Sequence, residues 1–90
     1  MKSRTTKDFR QMFASLPQPV QQQAQKAYQR FQQNPKHPSL RFKRVSTYKP
    51  IYSVRINESY RALGVMENED TIIWFWIGNH DDYERLIRSL

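Results

Sequence analysis

Ninety residues suffice for one domain with a small core, since a chain of this size buries only about 60–65% of the surface it exposes when unfolded. Aromatic residues at 13% argue against disorder. The absence of Cys excludes disulfides and thiolate metal sites, and no apolar run reaches the roughly 20 residues that span a bilayer. The net charge of +7 is unevenly spread: residues 1–57 carry twelve Lys or Arg against one acid, Asp8, whereas residues 58–90 carry three Arg against seven acids.

A surface so biased attracts a polyanion, most commonly nucleic acid, or an acidic protein partner. The N-terminal segment MKSRTTKDFRQMF has no apolar stretch of the signal-peptide kind, so a soluble cytoplasmic domain spanning 1–90 is expected.

Thr5-Thr6-Lys7-Asp8 reads as a helix start, with a hydroxyl to cap free N–H groups and an acid in the first turn. Phe9, Met12, Phe13 and Leu16 then recur at helical spacing until Pro17 stops the helix. Pro19 suits the first turn of a second helix, in which Val20, Ala24, Ala27, Tyr28 and Phe31 form one apolar stripe opposite a Gln-rich face. So short a connection predicts an antiparallel helical hairpin lying over one face of a sheet. Residues 1–4 allow a short edge strand. His37 falls in a loop stiffened by Pro35 and Pro38, where a lone His reads as solvated.

Strand signals follow. Leu40-Arg41-Phe42-Lys43 and Tyr52-Ser53-Val54-Arg55-Ile56 alternate apolar with polar, Tyr60–Met66 returns after a turn at Asn57-Glu58-Ser59, and Thr71–Ile77 follows a turn at 67–70. Period-two alternation sets Leu40, Phe42, Tyr52, Val54 and Ile56 on one face and Arg41, Lys43, Ser53 and Arg55 on the other. Ile72–Ile77, with Trp74, Phe75 and Trp76, is apolar at every position and reads as a core strand covered on both faces. After Gly78, residues 81–90 space Tyr83, Leu86, Ile87 and Leu90 as a short C-terminal helix. The pattern is α+β: a two-helix N-terminal hairpin on a small twisted antiparallel sheet of three to five strands, closed by a short helix.

The candidates for chemistry are Arg41, Lys43, Arg55, Arg61 and His80, with Glu58, Tyr83, Asp81 and Asp82 nearby in sequence. Guanidinium groups grip phosphate oxygens and stabilise charge that builds on a phosphorane, and a His exchanges a proton near neutral pH. Such a set could cleave RNA with the RNA's own 2′-hydroxyl as nucleophile, requiring no metal. Two His and no Cys make no recognisable metal-ligand set, and two glycines make no phosphate-binding loop, so neither metal nor small-molecule cofactor is expected.

Four segments carry a resemblance: NPKHPSLRFKR at 34–44, YSVRI at 52–56, SYRAL at 59–63 and WIGNHDDY at 76–83. With the preceding helical hairpin, they resemble toxins of the RelE/ParE superfamily from bacterial type II toxin–antitoxin modules. A RelE-like resemblance implies a ribosome-dependent endoribonuclease that cuts mRNA and so inhibits translation. It further implies catalytic roles for His80, Arg61 and Arg55, RNA contacts from Arg41, Lys43, Arg44 and Tyr83, and a cognate antitoxin with an acidic or amphipathic segment. His80 falls where RelE has an arginine and some relatives a histidine. Ser53 replaces a strand lysine, and Leu86 stands where RelE has a tyrosine. ParE-like members share the fold but inhibit DNA gyrase, and a non-catalytic antitoxin-binding relative is a third reading.

Overall fold

The structure, a computed structural model, describes residues 1–90. In chain order the elements are β1 (Lys2–Thr5), α1 (Lys7–Ala14), α2 (Gln18–Gln33), a 3-10 turn (Pro38–Leu40), β2 (Lys43–Arg44), β3 (Ile51–Arg55), β4 (Tyr60–Asn68), β5 (Thr71–Asn79) and α3 (His80–Arg88). No helix is long and apolar enough to cross a membrane.

The caps expected from sequence are in place. The Thr6 hydroxyl accepts from the Phe9 N–H at 3.0 Å, with Asp8 in the first turn of α1. At the other end of that helix the Gln21 side-chain amide donates to the carbonyls of Phe13, Ala14 and Leu16 at 3.1–3.2 Å. One side chain of α2 thus ties the C-terminal end of α1 and the linker after it to the second helix.

The sheet order is β1-β5-β4-β3-β2, and all pairs but one are antiparallel. The expected antiparallel sheet therefore gains a parallel edge, because β1 lies alongside β5 in the same direction. A parallel neighbour needs a long connection, which everything from Thr6 to Asp70 supplies.

One face carries the main core: Ala24, Ala27 and Phe31 from α2 pack on Val54, Ala62, Ile72, Trp74 and Ile77, with Leu40 below them. Phe31 sets its ring edge-on to Phe42 and Trp74, at centroid distances of 5.0 and 5.3 Å. Tyr52, Val54, Ile56, Leu40 and Phe42 all join this face, as their alternation predicts. Gly64 is required here, since a Cβ would come within 2.7–2.8 Å of the buried Ile72 and Trp74 side chains. The second face is smaller and lies under α3, where Tyr83, Leu86 and Ile87 meet Ile51, Leu63, Phe75 and Trp76.

A β-bulge explains how β5 serves both faces. Leu63 pairs with Trp76 but Gly64 pairs with Trp74, which leaves Phe75 as an extra residue. Strict alternation would send Trp74 and Trp76 to one side. The bulge sends Trp74 to the α2 side and Trp76 to the α3 side, so the strand is core on both faces.

The strand expected at Leu40–Lys43 is not formed. His37 caps a 3-10 turn through Nδ1, which accepts from the Ser39 N–H at 3.2 Å, and Pro38 opens the turn. Leu40 plugs the core at 1% exposure, and Arg41 then adopts φ +46° to reverse the chain. Only Lys43 and Arg44 pair with β3, opposite Ser53 and Tyr52.

Candidate functional site

The second face of the sheet carries Lys43, Arg55 and Arg61. Arg55 closes β3 and Arg61 opens β4, and the two are direct partners across the strand pair. The turn between them positions both. Arg61 Nη1 donates to the carbonyls of Asn57 (2.6 Å) and Tyr60 (2.9 Å), while Arg55 lies 3.9 Å from the Glu58 carboxylate. Asn57 itself bridges layers, since its amide donates to Gln23 of α2 and its oxygen accepts from the Ser59 N–H.

His80 comes to the same end of the sheet. Its backbone N–H donates to the Ser59 carbonyl at 2.8 Å, so the first residue of α3 is tied to the β3–β4 turn. Asn79 caps the helix by accepting from the Asp82 N–H at 2.8 Å. The imidazole Nε2 is 3.3 Å from Glu84, one helical turn on, and both side chains are about two-fifths exposed. Glu58, Ser59, Asn79, His80 and Asp81 line a polar depression of about 270 Å³.

Electrostatics mark Arg61 out. Its guanidinium is held below the ordinary arginine range first by burial and then by Arg55, with Arg41 adding in the same direction. The Tyr83 and Glu84 side chains oppose the shift. The same residues show that Arg41, Arg55 and Arg61 concentrate positive charge on one spot. No three His, Asp or Glu side chains come together as a metal-binding cluster.

Tyr83, which the resemblance places among RNA contacts, is 4% exposed and donates from its hydroxyl to Ser53 at 3.1 Å. It is corrected to an anchor of α3, because a buried and hydrogen-bonded phenol has no face left for a base. Ser53 is thereby accounted for as the buried partner of that phenol. Arg44 turns its guanidinium onto the carbonyls of Ser46 (2.8 Å) and Thr47 (3.4 Å). Lys43 stays exposed on the edge strand β2.

A second feature lies on the helix side. Between α1, α2, β1 and the sheet runs an apolar groove of about 870 Å³, lined by Phe9, Phe13, Tyr28, Ile56 and Trp74 and edged by Arg4 and Arg10. No residue of α1 is fully buried. α1 stands partly off the sheet, and its stripe of Phe9, Met12 and Phe13 is only half-covered.

The sequence profile of the ParE-like toxin domain matches residues 18–85. The chain belongs to the ParE-like toxin family. The match covers α2, the sheet from β2 to β5 and most of α3, which includes every residue of the cationic site. Solved structures agree on the fold of this ParE-like toxin. The RelB–RelE antitoxin–toxin complex from Methanococcus jannaschii contains a chain with a TM-score of 0.68 at 19% identity, covering 92% of this chain and 96% of that one. YafQ from E. coli strain BL21(DE3) gives 0.71 at 7% identity, covering 91% and 96%. The isolated E. coli RelE toxin gives 0.66 at 14% identity, covering 99% and 98%. No curated protein matches the sequence. The chain is thus a toxin of the RelE/ParE superfamily of type II toxin–antitoxin systems, and the α+β architecture is that of RelE-like structures.

Sequence reasoning about this ParE-like toxin missed Glu84 and the groove. The i,i+4 spacing of His80 and Glu84 on one helix was a usable signal. The groove had none, because its opening depends on how far α1 stands from the sheet.

Proposed function

We propose that this ParE-like toxin is a ribosome-dependent mRNA endoribonuclease. The observation that carries the reading is that Arg55 and Arg61 pair across β3 and β4 at the sheet end to which the His80 N–H is tied through the Ser59 carbonyl, where His80 lines a polar depression. In this reading the scissile phosphate sits against the two guanidinium groups, and the RNA 2′-oxygen attacks the adjacent phosphorus. The bond from phosphorus to the 5′-oxygen breaks, leaving a 2′,3′-cyclic phosphate. His80 supplies the proton that the departing 5′-oxygen needs, and Glu58, which lines the same depression, receives the 2′-hydroxyl proton. Arg61, partly desolvated and crowded by Arg55, is suited to charge that grows in the transition state.

The partner in this reading is an antitoxin whose acidic, amphipathic segment seats its apolar side in the groove and its carboxylates on Arg4 and Arg10. Several solved relatives are antitoxin–toxin complexes, including RelB–RelE from Methanococcus jannaschii and Pyrococcus horikoshii OT3 and RelBE2 from Mycobacterium tuberculosis.

The test is brief induction in bacteria without an antitoxin, followed by primer extension on mRNA. Wild type arrests growth and leaves cut mRNA, whereas His80→Ala and Arg61→Ala grow and leave intact mRNA. Toxicity that survives His80→Ala, with DNA breaks and filamentous cells, would instead identify a gyrase inhibitor.

A further inference from the structure

Tyr48 is 90% exposed, more than twice any other large apolar side chain in the molecule. It sits in the loop between β2 and β3, and that loop is firmly held. Ser46 is 6% exposed, and its hydroxyl accepts from the Lys49 N–H at 3.2 Å. The Arg44 guanidinium braces the Ser46 and Thr47 carbonyls. The Val45 N–H donates to the Ile51 carbonyl at 2.9 Å, and the Met66 N–H of β4 donates to the Pro50 carbonyl at 2.9 Å. A fixed loop therefore presents an aromatic ring to water with both faces open.

The surroundings of the ring are cationic. Lys49 adjoins it in the chain, and Lys43 lies on the neighbouring strand opposite Ser53, on the sheet face that bears Arg55 and Arg61. No acid occurs anywhere between Asp8 and Glu58. Strand β3 runs from this loop to Arg55, about 13 Å for four residue steps. Tyr48, Lys49, Lys43 and Arg55 thus mark a track from an open ring to the Arg55–Arg61 end of the sheet.

We propose that Tyr48 is a stacking platform for one nucleobase of a single-stranded RNA whose phosphates lie along Lys49 and Lys43 toward Arg55. Single-stranded RNA matches both halves of the chemistry, since bases stack on aromatic faces and phosphates pair with cations. An acidic peptide would use the lysines and leave the ring idle. The inference rests on RNA being the target, as in the preceding reading, and assigns a contact outside the depression.

The experiment is fluorescence anisotropy of a labelled ten-nucleotide uridine RNA with the full chain, over a range of salt concentrations. Tyr48→Ala is expected to weaken binding about 5- to 150-fold, the scale of one lost stacking contact, with an unchanged salt dependence. Tyr48→Phe should bind as wild type does, and Lys49→Ala should lower the salt slope by about 0.7. Thermal unfolding controls for the fold, which a side chain this exposed does not support. Equal affinity of Tyr48→Ala and wild type, with weaker binding by Arg55→Gln, would overturn the platform alone. No binding by wild type would overturn the platform, while the RNA target stands or falls by the primer-extension test. Unchanged RNA affinity with loss of a co-expressed antitoxin would overturn it in favour of a protein contact.

Discussion

Arg55 and Arg61 face each other in register across β3 and β4, two like charges at a paired position of an antiparallel ladder. Such pairs destabilise a sheet by about 0.2–1 kcal/mol. The lowered pKa of Arg61, caused first by burial and second by Arg55, is the same conflict seen from one residue. For a base whose folded-state pKa lies below its unfolded value, the cost of the charged form persists at all lower pH. It is lifted only as pH rises through the folded pKa, toward the ordinary arginine range. Titration between pH 5 and 9 therefore does not reach it, but an anion does. Sulfate is expected to raise the melting temperature of wild type; saturation to about 10 Kd adds about 1.4 kcal/mol, some 6–11 °C for a domain of this size. Arg55→Gln should gain about 0.5 kcal/mol without salt and lose most of the sulfate response. Differential scanning fluorimetry in sulfate against chloride reads both, and an equal response in the variant would refute the shared anion site.

Arg41 is the one non-glycine residue with positive φ, at +46°. That conformation costs roughly 1 kcal/mol in a residue with a Cβ, and it sits beside the other site cations. Arg41→Gly should keep the fold and gain up to about 1 kcal/mol in urea unfolding, while growth arrest weakens. A loss of stability would show that the side chain, not the backbone, holds the 3-10 turn in place.

The sequence disclosed those parts of the molecule that depend on short-range pattern. The α1 cap at Thr6, the stripe of Val20, Ala24, Ala27 and Phe31, and the split of Val54 from Arg55 all follow from spacing of a few residues. Convergence of Arg55 and Arg61 was legible because a short turn forces them opposite. What escaped depends on distant segments or on local irregularity. β1 joins β5 across 65 intervening residues, from Thr6 to Asp70. The Phe75 bulge breaks alternation within an all-apolar run that gives no sign of it. Tyr83 looked like a free ring beside His80, but the side of α3 that meets the sheet is fixed by Leu86 and Ile87, and it carries Tyr83 inward.

The groove between the hairpin and the sheet should separate antitoxin binding from toxicity. Arg4 and Arg10 edge it, on the opposite face from His80. Arg4 reaches Glu67 at only 3.9 Å with both side chains largely exposed, so its reversal costs the fold little. Arg4→Glu with Arg10→Glu is expected to weaken antitoxin binding about tenfold, with growth arrest intact when the toxin is expressed alone. Isothermal titration of the antitoxin, once cloned, provides the affinity. Undiminished binding would move the partner's segment elsewhere.

The Tyr83–Ser53 hydrogen bond joins α3 to the sheet in a place that water does not reach, with Ser53 at 2% and Tyr83 at 4% exposure. Tyr83→Phe leaves the Ser53 hydroxyl unpaired and should cost about 1–2 kcal/mol; Ser53→Ala leaves the phenol unpaired at a similar cost. The double variant has neither orphan, so its loss should fall short of the sum by about 1 kcal/mol in urea unfolding. Toxicity should follow the single variants more steeply than stability does, because α3 carries His80 and its register on the sheet sets where the imidazole points. Additive losses in the cycle would mean that the two hydroxyls do not interact, and that α3 is held by Leu86 and Ile87 alone.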